Sequence, residues 1–344
     1  MKRLFTRKAL VRSLQVFAGI AAIYFAIALA LVFWPAPEPF AGPGIAEANA
    51  PIESTDSGFE PTAPTGVEEI SIEARDGESI FARRYAGESS TSIILMHGIA
   101  NDSSAFDFAA RTLSENTGAQ VITPDFRGHG RSGGARFDVD YIGQYEDDLE
   151  DIIKFVKSEQ PAQRVIVAGH SMGGGVAMRY ALKDGAPVPD AYLLFAPNFG
   201  EGPTQRSPGD GEDTSAFVHF DVRRMIGIIM LNTVAIHALD DLPILYFNIA
   251  TQRMDYSYRA VMSAQPIRPE TSDIALQAVQ SPLLVIVGAD DEVFEVGQFE
   301  PFISANSDGE TVILPGLTHD GIVNDAATYE VVREWYNNRY SANE

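Results

Sequence analysis

The sequence predicts an α/β fold built on a mostly parallel, doubly wound sheet. Two observations support this prediction: short, strongly apolar segments recur along the chain, and amphipathic helix patterns lie between them. Segments this short and this apolar are typical of strands that are covered on both faces, as in a parallel sheet. Strands that alternate with helices indicate a doubly wound architecture, in which ligands bind at the carboxyl ends of the strands.

The first strands are predicted as a hairpin-like pair, Val67–Ala74 and Ser79–Tyr85, around Asp76-Gly77. Six apolar segments are the further predicted strands: Ser92–His97, Ala119–Pro124, Arg164–Gly169, Ala191–Ala196, Pro282–Gly288 and Thr311–Pro315. The clearest helix lies over residues 142–156, where apolar residues recur at steps of three and four. Its other face carries five acids, which we interpret as solvent-exposed because no histidine interleaves with them: Glu146, Asp147, Asp148, Glu150 and Asp151.

One long stretch, about residues 197–281, interrupts the alternation of strands and helices. A connection of this length needs structure of its own. It contains apolar patterns at 225–239, 242–250 and 256–262, each too short to cross a membrane. We therefore expect a helical cap inserted into the sheet domain. The sequence leaves open whether its apolar faces pack only within the cap or also line an acyl pocket.

Composition and charge exclude several classes of function. The 344 residues include 25 Lys and Arg against 47 Asp and Glu, a formal net charge of −22, which disfavours binding to phosphate backbones. There is no cysteine, so disulfides, Cys-ligated metals and thiol nucleophiles are excluded. No pattern indicates a metal or an organic cofactor, and we predict none. The sequence gives no indication of the oligomeric state.

The N-terminal residues 1–34 are predicted to form a basic tip and a transmembrane signal anchor. All five charges in the first twelve residues are basic, and the uncharged segment Val16–Trp34 that follows has nearly the length needed to cross a hydrocarbon core of ~30 Å. A buried core helix and a cleaved signal peptide are the alternatives. The segment is apolar all round, and Pro35 rather than a small-residue cleavage site follows it, so we favour the uncleaved anchor. Positive residues stay in the cytoplasm, which predicts a single-pass protein with its large C-terminal domain on the outer, periplasmic or extracytoplasmic side.

Residues 35–66 are predicted to form a linker, and residues 67–340 the folded domain. The linker contains seven prolines among Gly, Ala, Ser, Thr and acidic residues, and it has no apolar period. Such a composition is typical of a semi-extended spacer.

The chemistry is predicted at Gly169-His170-Ser171-Met172-Gly173, which fits G-x-S-x-G. The pentapeptide directly follows an apolar strand and precedes a helix-like segment, which is the context of a nucleophile elbow. A serine nucleophile needs a histidine base and an acid that orients it, and in this architecture they follow in the order Ser, acid, His. Only His319 lies after the late strand 282–288, and the loop after that strand offers two adjacent acids, Asp290 and Asp291.

The chain resembles the α/β-hydrolase superfamily, and within it the monoglyceride lipase and lysophospholipase-like group, often labelled serine aminopeptidase S33-type. Four motifs over roughly residues 67–340 carry the resemblance: Met96-His97-Gly98-Ile99, residues 125–132 (DFRGHGRS), the elbow around Ser171, and G-x-x-D followed late by His. The resemblance implies Asp291 as the acid, with Asp290 as the second choice. It also implies an oxyanion hole made by the backbone N–H groups of Ile99 and Met172.

Together with the predicted anchor, the resemblance implies a membrane-anchored serine hydrolase that cleaves acyl esters through an acyl-enzyme, with Ser171, His319 and Asp291 as its catalytic residues. Small acyl-ester or lipid substrates are the expected partners, beside the membrane that holds the N-terminal helix. The alternatives are a serine aminopeptidase of the S33 type and a catalytically inactive, membrane-tethered binding module. Neither the acyl chain length nor the leaving group can be read from the sequence.

Overall fold

A computed structural model describes residues 7–35, 66–206, 218–249, 252–267 and 271–340. The chain divides into two compact units: Met1–Ile52 with Ser215–Tyr258, and Glu53–Thr214 with Arg259–Glu344. We call the first the anchor unit and the second the sheet unit. The predicted linker over residues 35–66 lies outside the described residues, apart from its two end positions. The same holds for the first six residues of the predicted basic tip.

The described residues form eleven strands and nine α-helices. The strands are β1 Val67–Glu73, β2 Ser79–Tyr85, β3 Thr91–Met96, β4 Gln120–Pro124, β5 Arg164–His170, β6 Ala191–Phe195, β7 Val218–Phe220, β8 Pro243–Ile249, β9 Gln252–Ser257, β10 Leu283–Gly288 and β11 Glu310–Leu314. The helices are α1 Arg7–Val32, α2 Asp107–Thr117, α3 Gln144–Glu159, α4 Met172–Ala181, α5 Val222–Asn232, α6 Tyr258–Ser263, α7 Ser272–Ala278, α8 Phe299–Asn306 and α9 Ala326–Tyr340.

The sheet unit contains an eight-stranded sheet in the order β1-β2-β4-β3-β5-β6-β10-β11. β1 and β2 pair antiparallel, as predicted, and β2 is antiparallel to β4; the remaining pairs are parallel. Every residue of β3 and of β10 is buried, because helices cover both faces of the sheet. The predicted doubly wound α/β class is confirmed.

The register of the parallel strands determines which loops meet. Met96 at the end of β3 pairs with Gly169 of β5, and Gly288 at the end of β10 pairs with Leu314 of β11. The segments that begin at His97, Ser171, Ala289 and Pro315 therefore all leave the carboxyl edge of one sheet. This is the edge at which open α/β sheets bind ligands.

The predicted cap is helical only in part. Its middle contributes α5 to the anchor unit, but also the three-stranded antiparallel sheet β7-β8-β9. Residues 243–249, PILYFNI, were expected to belong to a helix and instead form β8. A short apolar run does not distinguish strand from helix by its period, and its Ile, Tyr and Phe residues favour a strand.

The acidic face of α3 is also different from the expected one. Glu146, Asp148 and Glu150 are buried. Each pairs with an arginine: Glu146 Oε1 lies 2.6 Å from Arg179 Nε, Asp148 Oδ1 lies 2.6 Å from Arg127 Nη2, and Glu150 Oε2 lies 3.0 Å from Arg75 Nη2. The prediction of a solvent-exposed face was wrong, because the arginines that neutralise this face lie far away in sequence.

Candidate active site

Ser171 lies on the sharp turn between β5 and α4, with φ +50° and ψ −113°. A non-glycine residue in such a conformation costs on the order of 1–3 kcal/mol and persists only where its surroundings hold it. Here the Ser171 amide donates to Phe195 O at 3.1 Å, and its carbonyl accepts from the amides of Asn198 at 2.9 Å and Gly175 at 3.1 Å. These bonds hold the turn and leave the side chain of Ser171 at the carboxyl edge of the sheet.

The glycines of the motif are required by close backbone approach. A Cβ on Gly169 would lie 2.4 Å from the carbonyl carbon of Gly173, and a Cβ on Gly173 would lie 2.5 Å from Met96 O. Real Cβ atoms do not approach backbone so closely, so helix α4 could not pack this tightly against β3 and β5 with larger residues. The G-x-S-x-G spacing is thus a packing requirement of the turn that carries Ser171.

His319 and Asp291 form a hydrogen-bonded pair at the same edge, with 2.9 Å between His319 Nδ1 and Asp291 Oδ2. The other carboxylate oxygen of Asp291 accepts from the amides of Val293 at 2.8 Å and Phe294 at 2.9 Å. Burial favours a higher pKa for Asp291, but the hydrogen bonds from His319 and these amides outweigh it and hold the pKa below its usual value. Asp291 is therefore a buried, ionised acceptor for the imidazole.

The structure distinguishes the two adjacent aspartates. Asp291 is 1% exposed and faces His319, whereas Asp290 is exposed and uses its backbone amide to bind Leu317 O at 3.0 Å. Neighbouring side chains on this loop point in opposite directions, so only one carboxylate reaches the histidine. That one is Asp291.

Two further residues hold the loop that carries Asp291, and no sequence pattern predicts either. The guanidinium of Arg206 donates to Asp291 O at 2.8 Å and to Phe294 O at 3.1 Å. The carboxylate of Glu292 accepts from the amide of His319 at 3.0 Å. Together they fix the backbone on both sides of the pair.

His170, inside the serine motif, contacts His319 directly. Its Nε2 lies 3.0 Å from His319 O, and the two ring centroids are 4.8 Å apart. Burial, with a smaller contribution from His319, lowers the pKa of His170 to about 3, so the ring is neutral and its Nε2–H donates to the carbonyl. Possible metal-ligand atoms of His170, His319 and Asp320 lie within 4.8 Å of one another. The Nε2–H of His170 already donates to His319 O, so this nitrogen offers no lone pair to a metal ion.

The loop after β3 passes directly beside Ser171. A Cβ on Gly98 would lie 3.0 Å from His170 Nδ1 and 3.4 Å from Ser171 Cβ. His97 holds this loop, because its Nδ1 donates to Gly98 O at 2.7 Å and its Nε2 accepts from Phe126 N at 3.0 Å. Ile99 follows Gly98, so the predicted oxyanion donor lies one residue from the closest approach.

Met172, the other predicted donor, is the first residue of α4. An amide at the first position of a helix has no partner within the helix, and it points toward the helix N-terminus, where negative charge is favoured. The Ser171 side chain and the Met172 amide therefore lie at neighbouring positions of the turn before α4.

The sheet order, the Ser171 turn and the His319–Asp291 pair can be compared with solved structures. An esterase from Exiguobacterium antarcticum aligns with 78% of this chain and 100% of its own, with a TM-score of 0.55 and 19% identity. The chain has the α/β-hydrolase fold. A sequence profile described as "Serine aminopeptidase, S33" matches residues 87–230 of the chain.

Two curated relatives with lipase names match part of the chain. A monoacylglycerol lipase of Mycolicibacterium smegmatis is 33% identical over 100 residues, which are 29% of this chain and 34% of that lipase. A monoglyceride lipase homolog of Monkeypox virus is 31% identical over 105 residues, which are 30% of this chain and 37% of the viral protein. The chain thus matches about a third of the length of these relatives.

Proposed function

We propose that this protein is a membrane-anchored serine hydrolase that cleaves carboxylic esters with Ser171, His319 and Asp291. The observation that carries the proposal is the 2.9 Å bond between His319 Nδ1 and Asp291 at the sheet edge from which Ser171 also projects. The contact of His170, the neighbour of Ser171, with His319 O supports the proximity of serine and histidine.

In the proposed first step, Ser171 Oγ attacks the carbonyl carbon of the ester while His319 Nε2 takes the hydroxyl proton. Asp291 stabilises the imidazolium that forms. The amides of Ile99 and Met172 donate to the oxyanion of the tetrahedral intermediate. When this collapses, the bond to the alcohol oxygen breaks and His319 returns the proton to the leaving alcohol, so that the acyl group stays on Ser171.

In the second step, water attacks the acyl-enzyme while His319 again takes a proton. The carboxylic acid leaves, and Ser171 Oγ recovers its hydrogen from the imidazolium. All groups that the two steps need are side chains and amides of this chain, so the mechanism uses no metal and no organic cofactor.

The proposed substrates are esters of fatty acyl chains with small alcohols, such as monoacylglycerols or lysophospholipids. The curated relatives named as monoacylglycerol lipase and monoglyceride lipase homolog support this class. So does α1, whose segment Leu10–Val32 has a mean hydropathy of 2.3 and is long and apolar enough to cross a membrane. With its basic N-terminal end in the cytoplasm, the hydrolase domain lies on the outer side.

Peptide hydrolysis is the second candidate, because the matching family is described as a serine aminopeptidase. The same three residues would serve, and the difference lies in the substrate. Chromogenic esters of graded acyl length, assayed beside an aminoacyl anilide, separate the two.

The test uses the full-length protein in mild detergent with a fluorophosphonate probe. Ser171→Ala is expected to abolish labelling and to lower kcat for esters by several orders of magnitude. Ser158→Ala, at an exposed position near the end of α3, serves as the matched control. It should keep both the probe labelling and the wild-type kcat for esters. Ester hydrolysis that survives Ser171→Ala would refute the assignment.

The anchoring has its own test, membrane fractionation with alkaline carbonate extraction. The full chain should stay in the membrane pellet, whereas a protein bound only at the membrane surface is released. Release of the full chain by carbonate would rule out a spanning helix without affecting the catalytic assignment.

A further inference from the structure

Helix α1 does not stand alone in the anchor unit but packs antiparallel against α5. The hydroxyl of Tyr24 lies 2.6 Å from Met230 O and 2.6 Å from Thr233 Oγ1, at the end of α5. Eight residues further along α1, the carbonyl of Val32 accepts from Arg224 Nε at 3.3 Å, at the start of α5. The order of the contacts is reversed between the two helices, so α5 runs back along the last two turns of α1.

The two helices are in backbone contact at Gly227. A Cβ on Gly227 would lie 2.7 Å from Ala28 O and 2.9 Å from Val32 N. Ala28 is 0% exposed and Val32 is 1% exposed. α5 is therefore held against α1 by direct packing.

The face of α5 that does not touch α1 is apolar and exposed. Val222, Ile226 and Ile229 recur at helical spacing and are 48%, 42% and 39% exposed. Val234 and Ile236, in the turn that follows α5, continue this surface. We call these five residues the α5 stripe.

The depth of α5 follows from its contacts with α1. The eight residues from Tyr24 to Val32 rise ~12 Å along a helix axis, compared with ~15 Å for half of a hydrocarbon core. If Val32 lies at the outer boundary of the membrane, the end of α5 beside Tyr24 lies well inside the outer leaflet. The surface of α1 around it is itself apolar and exposed, as at Leu29, which is 43% exposed.

We infer that the α5 stripe is a lipid-binding surface, inserted from the outer side into one leaflet beside the anchor helix. The inference rests on the proposed spanning role of α1 and goes beyond it, since it places a part of the cap insertion in lipid. Unlike an amphipathic helix that lies in the plane of the interface, α5 runs along α1 and carries its apolar face into the leaflet. Arg223 and Arg224, at the Val32 end, lie at the level of the headgroups, where long arginine side chains reach phosphate and water.

The turn after the stripe limits the insertion to one leaflet. Beyond Val234 and Ile236 it becomes polar, with His237 Nδ1 lying 3.1 Å from Asp240 Oδ2, and polar side chains oppose deeper insertion. The chain then returns to the start of α5, where Arg224 donates to Pro243 O at 2.7 Å. α5 and this return form a re-entrant segment rather than a second span.

The absence of cysteine makes a clean labelling test possible. Single variants Ile229→Cys in α5, Leu29→Cys in α1 and Val188→Cys in the sheet unit are labelled with an environment-sensitive fluorophore. The full-length proteins are reconstituted in phosphatidylcholine vesicles that carry nitroxide-labelled lipids. We expect severalfold quenching at positions 29 and 229 and none at Val188, an exposed position of the sheet unit.

The outcomes separate the two proposals. Quenching at position 29 but not at 229 would overturn the inference and leave the anchor standing. Quenching at neither position would overturn both. A label at 229 that is shielded from aqueous iodide but not quenched by the lipid nitroxides would show that protein covers the stripe, which also overturns the inference. Ester hydrolysis and its loss in Ser171→Ala are measured separately and do not depend on any of these three quenching results.

A pair of glycine variants tests whether α1 determines the depth of α5. Gly227→Leu forces the helices apart and should reduce quenching at position 229 at least twofold. Gly19→Leu is the matched control, because a Cβ on Gly19 meets nothing within 4 Å. Unchanged quenching at 229 in Gly227→Leu would contradict the role of the contact with α1.

Discussion

The carboxylate of Asp291 lies 2.9 Å from His319 Nδ1, although 28 positions of sequence separate the two residues. They meet because β10 and β11 are parallel neighbours and the loops that follow them leave the same sheet edge. The loops run so close that a Cβ on Gly288 would lie 2.0 Å from Leu317 O. The pair is thus a consequence of strand order and of one glycine.

We expect Asp291→Asn to lower kcat for a soluble ester by about three to four orders of magnitude. An amide in place of the carboxylate cannot stabilise the imidazolium, and it favours the wrong tautomer of His319. The fold should remain, since the shape of the side chain is kept. Steady-state kinetics on full-length protein in detergent, with KM recorded separately, is the measurement.

Asp290→Asn is the matched control for this prediction. It makes the same chemical change one position earlier, on an exposed side chain. We expect kcat within about twofold of wild type. Equal losses in both variants would mean that the loop, rather than the carboxylate of Asp291, matters.

Arg127 and Arg131, both in the motif of residues 125–132 (DFRGHGRS), should differ strongly in their contribution to stability. Arg127 is 2% exposed and pairs with Asp148, whose side chain is 5% exposed, at 2.6 Å. Arg127→Met leaves that carboxylate buried without its partner, so we expect the free energy of unfolding to fall by about 3–5 kcal/mol. Urea unfolding followed by circular dichroism measures it.

Arg131→Met provides the comparison. The Arg131 side chain is 57% exposed and pairs with Glu69, which is itself 38% exposed, at 2.7 Å. Exposed pairs contribute about 0–1 kcal/mol, so this variant should lose no more than about 1 kcal/mol. Similar losses for the two variants would show that Arg127 is less isolated from water than its burial indicates.

The strands could be predicted from sequence because their signal is local. All eight strands of the large sheet lie within about two residues of their predicted bounds, since runs such as residues 283–288 (LLVIVG) are apolar throughout. The cap strand β8 could not be distinguished from a helix by the same reasoning. The burial of Glu146, Asp148 and Glu150 was missed because their arginine partners come from other segments of the chain.

The candidate site also has some residues that the local sequence predicts and others that it does not. The position of Ser171 between a strand and a helix follows from the adjacent sequence, and the structure places it there. The loop sequence alone does not say whether Asp290 or Asp291 faces His319. The structure shows that Asp291 does. Arg206 and Glu292 carry no local pattern at all, since both act through hydrogen bonds to backbone atoms of a distant loop.

Gly173→Ala should disturb the turn that carries Ser171. The new Cβ would lie 2.5 Å from Met96 O, and backbone on both sides cannot give way without a shift. Overpacking of this kind costs about 1–3 kcal/mol. Displacing catalytic groups by about 1 Å can cost roughly a hundredfold in rate, so we expect kcat to fall by at least tenfold.

Gly297→Ala is the matched change, because a Cβ at Gly297 meets nothing within 4 Å. Its thermal midpoint and kcat should stay at the wild-type values. If Gly173→Ala behaves like Gly297→Ala in both measurements, the close approach of α4 to β3 does not hold the turn.

Acid should destabilise the sheet unit through its buried histidines. Burial lowers the pKa of His129 and of His170 to about 3, and it lowers the pKa of His97 as well. An unfolded histidine titrates near ~6.5, so between pH 6.5 and 3 the unfolded chain binds protons that the folded chain excludes. The contribution of His129 and of His170 to the free energy of unfolding falls as the pH falls through this window, by up to about 1.4 kcal/mol per pH unit for each. The raised pKa of Asp148, about 6, acts in the opposite direction and offsets part of this loss.

His129→Gln isolates one of these contributions. His129 packs its neutral ring in the core, with Nδ1 lying 3.0 Å from Arg127 O, and glutamine can keep a donor there without titrating. We expect the variant to be less stable than wild type at pH 7.5 but to lose stability less steeply between pH 6.5 and 5, by about 1.4 kcal/mol per pH unit. Urea unfolding of both proteins at three pH values gives the two slopes. Parallel slopes would mean that His129 takes up its proton in the folded state as readily as in the unfolded chain.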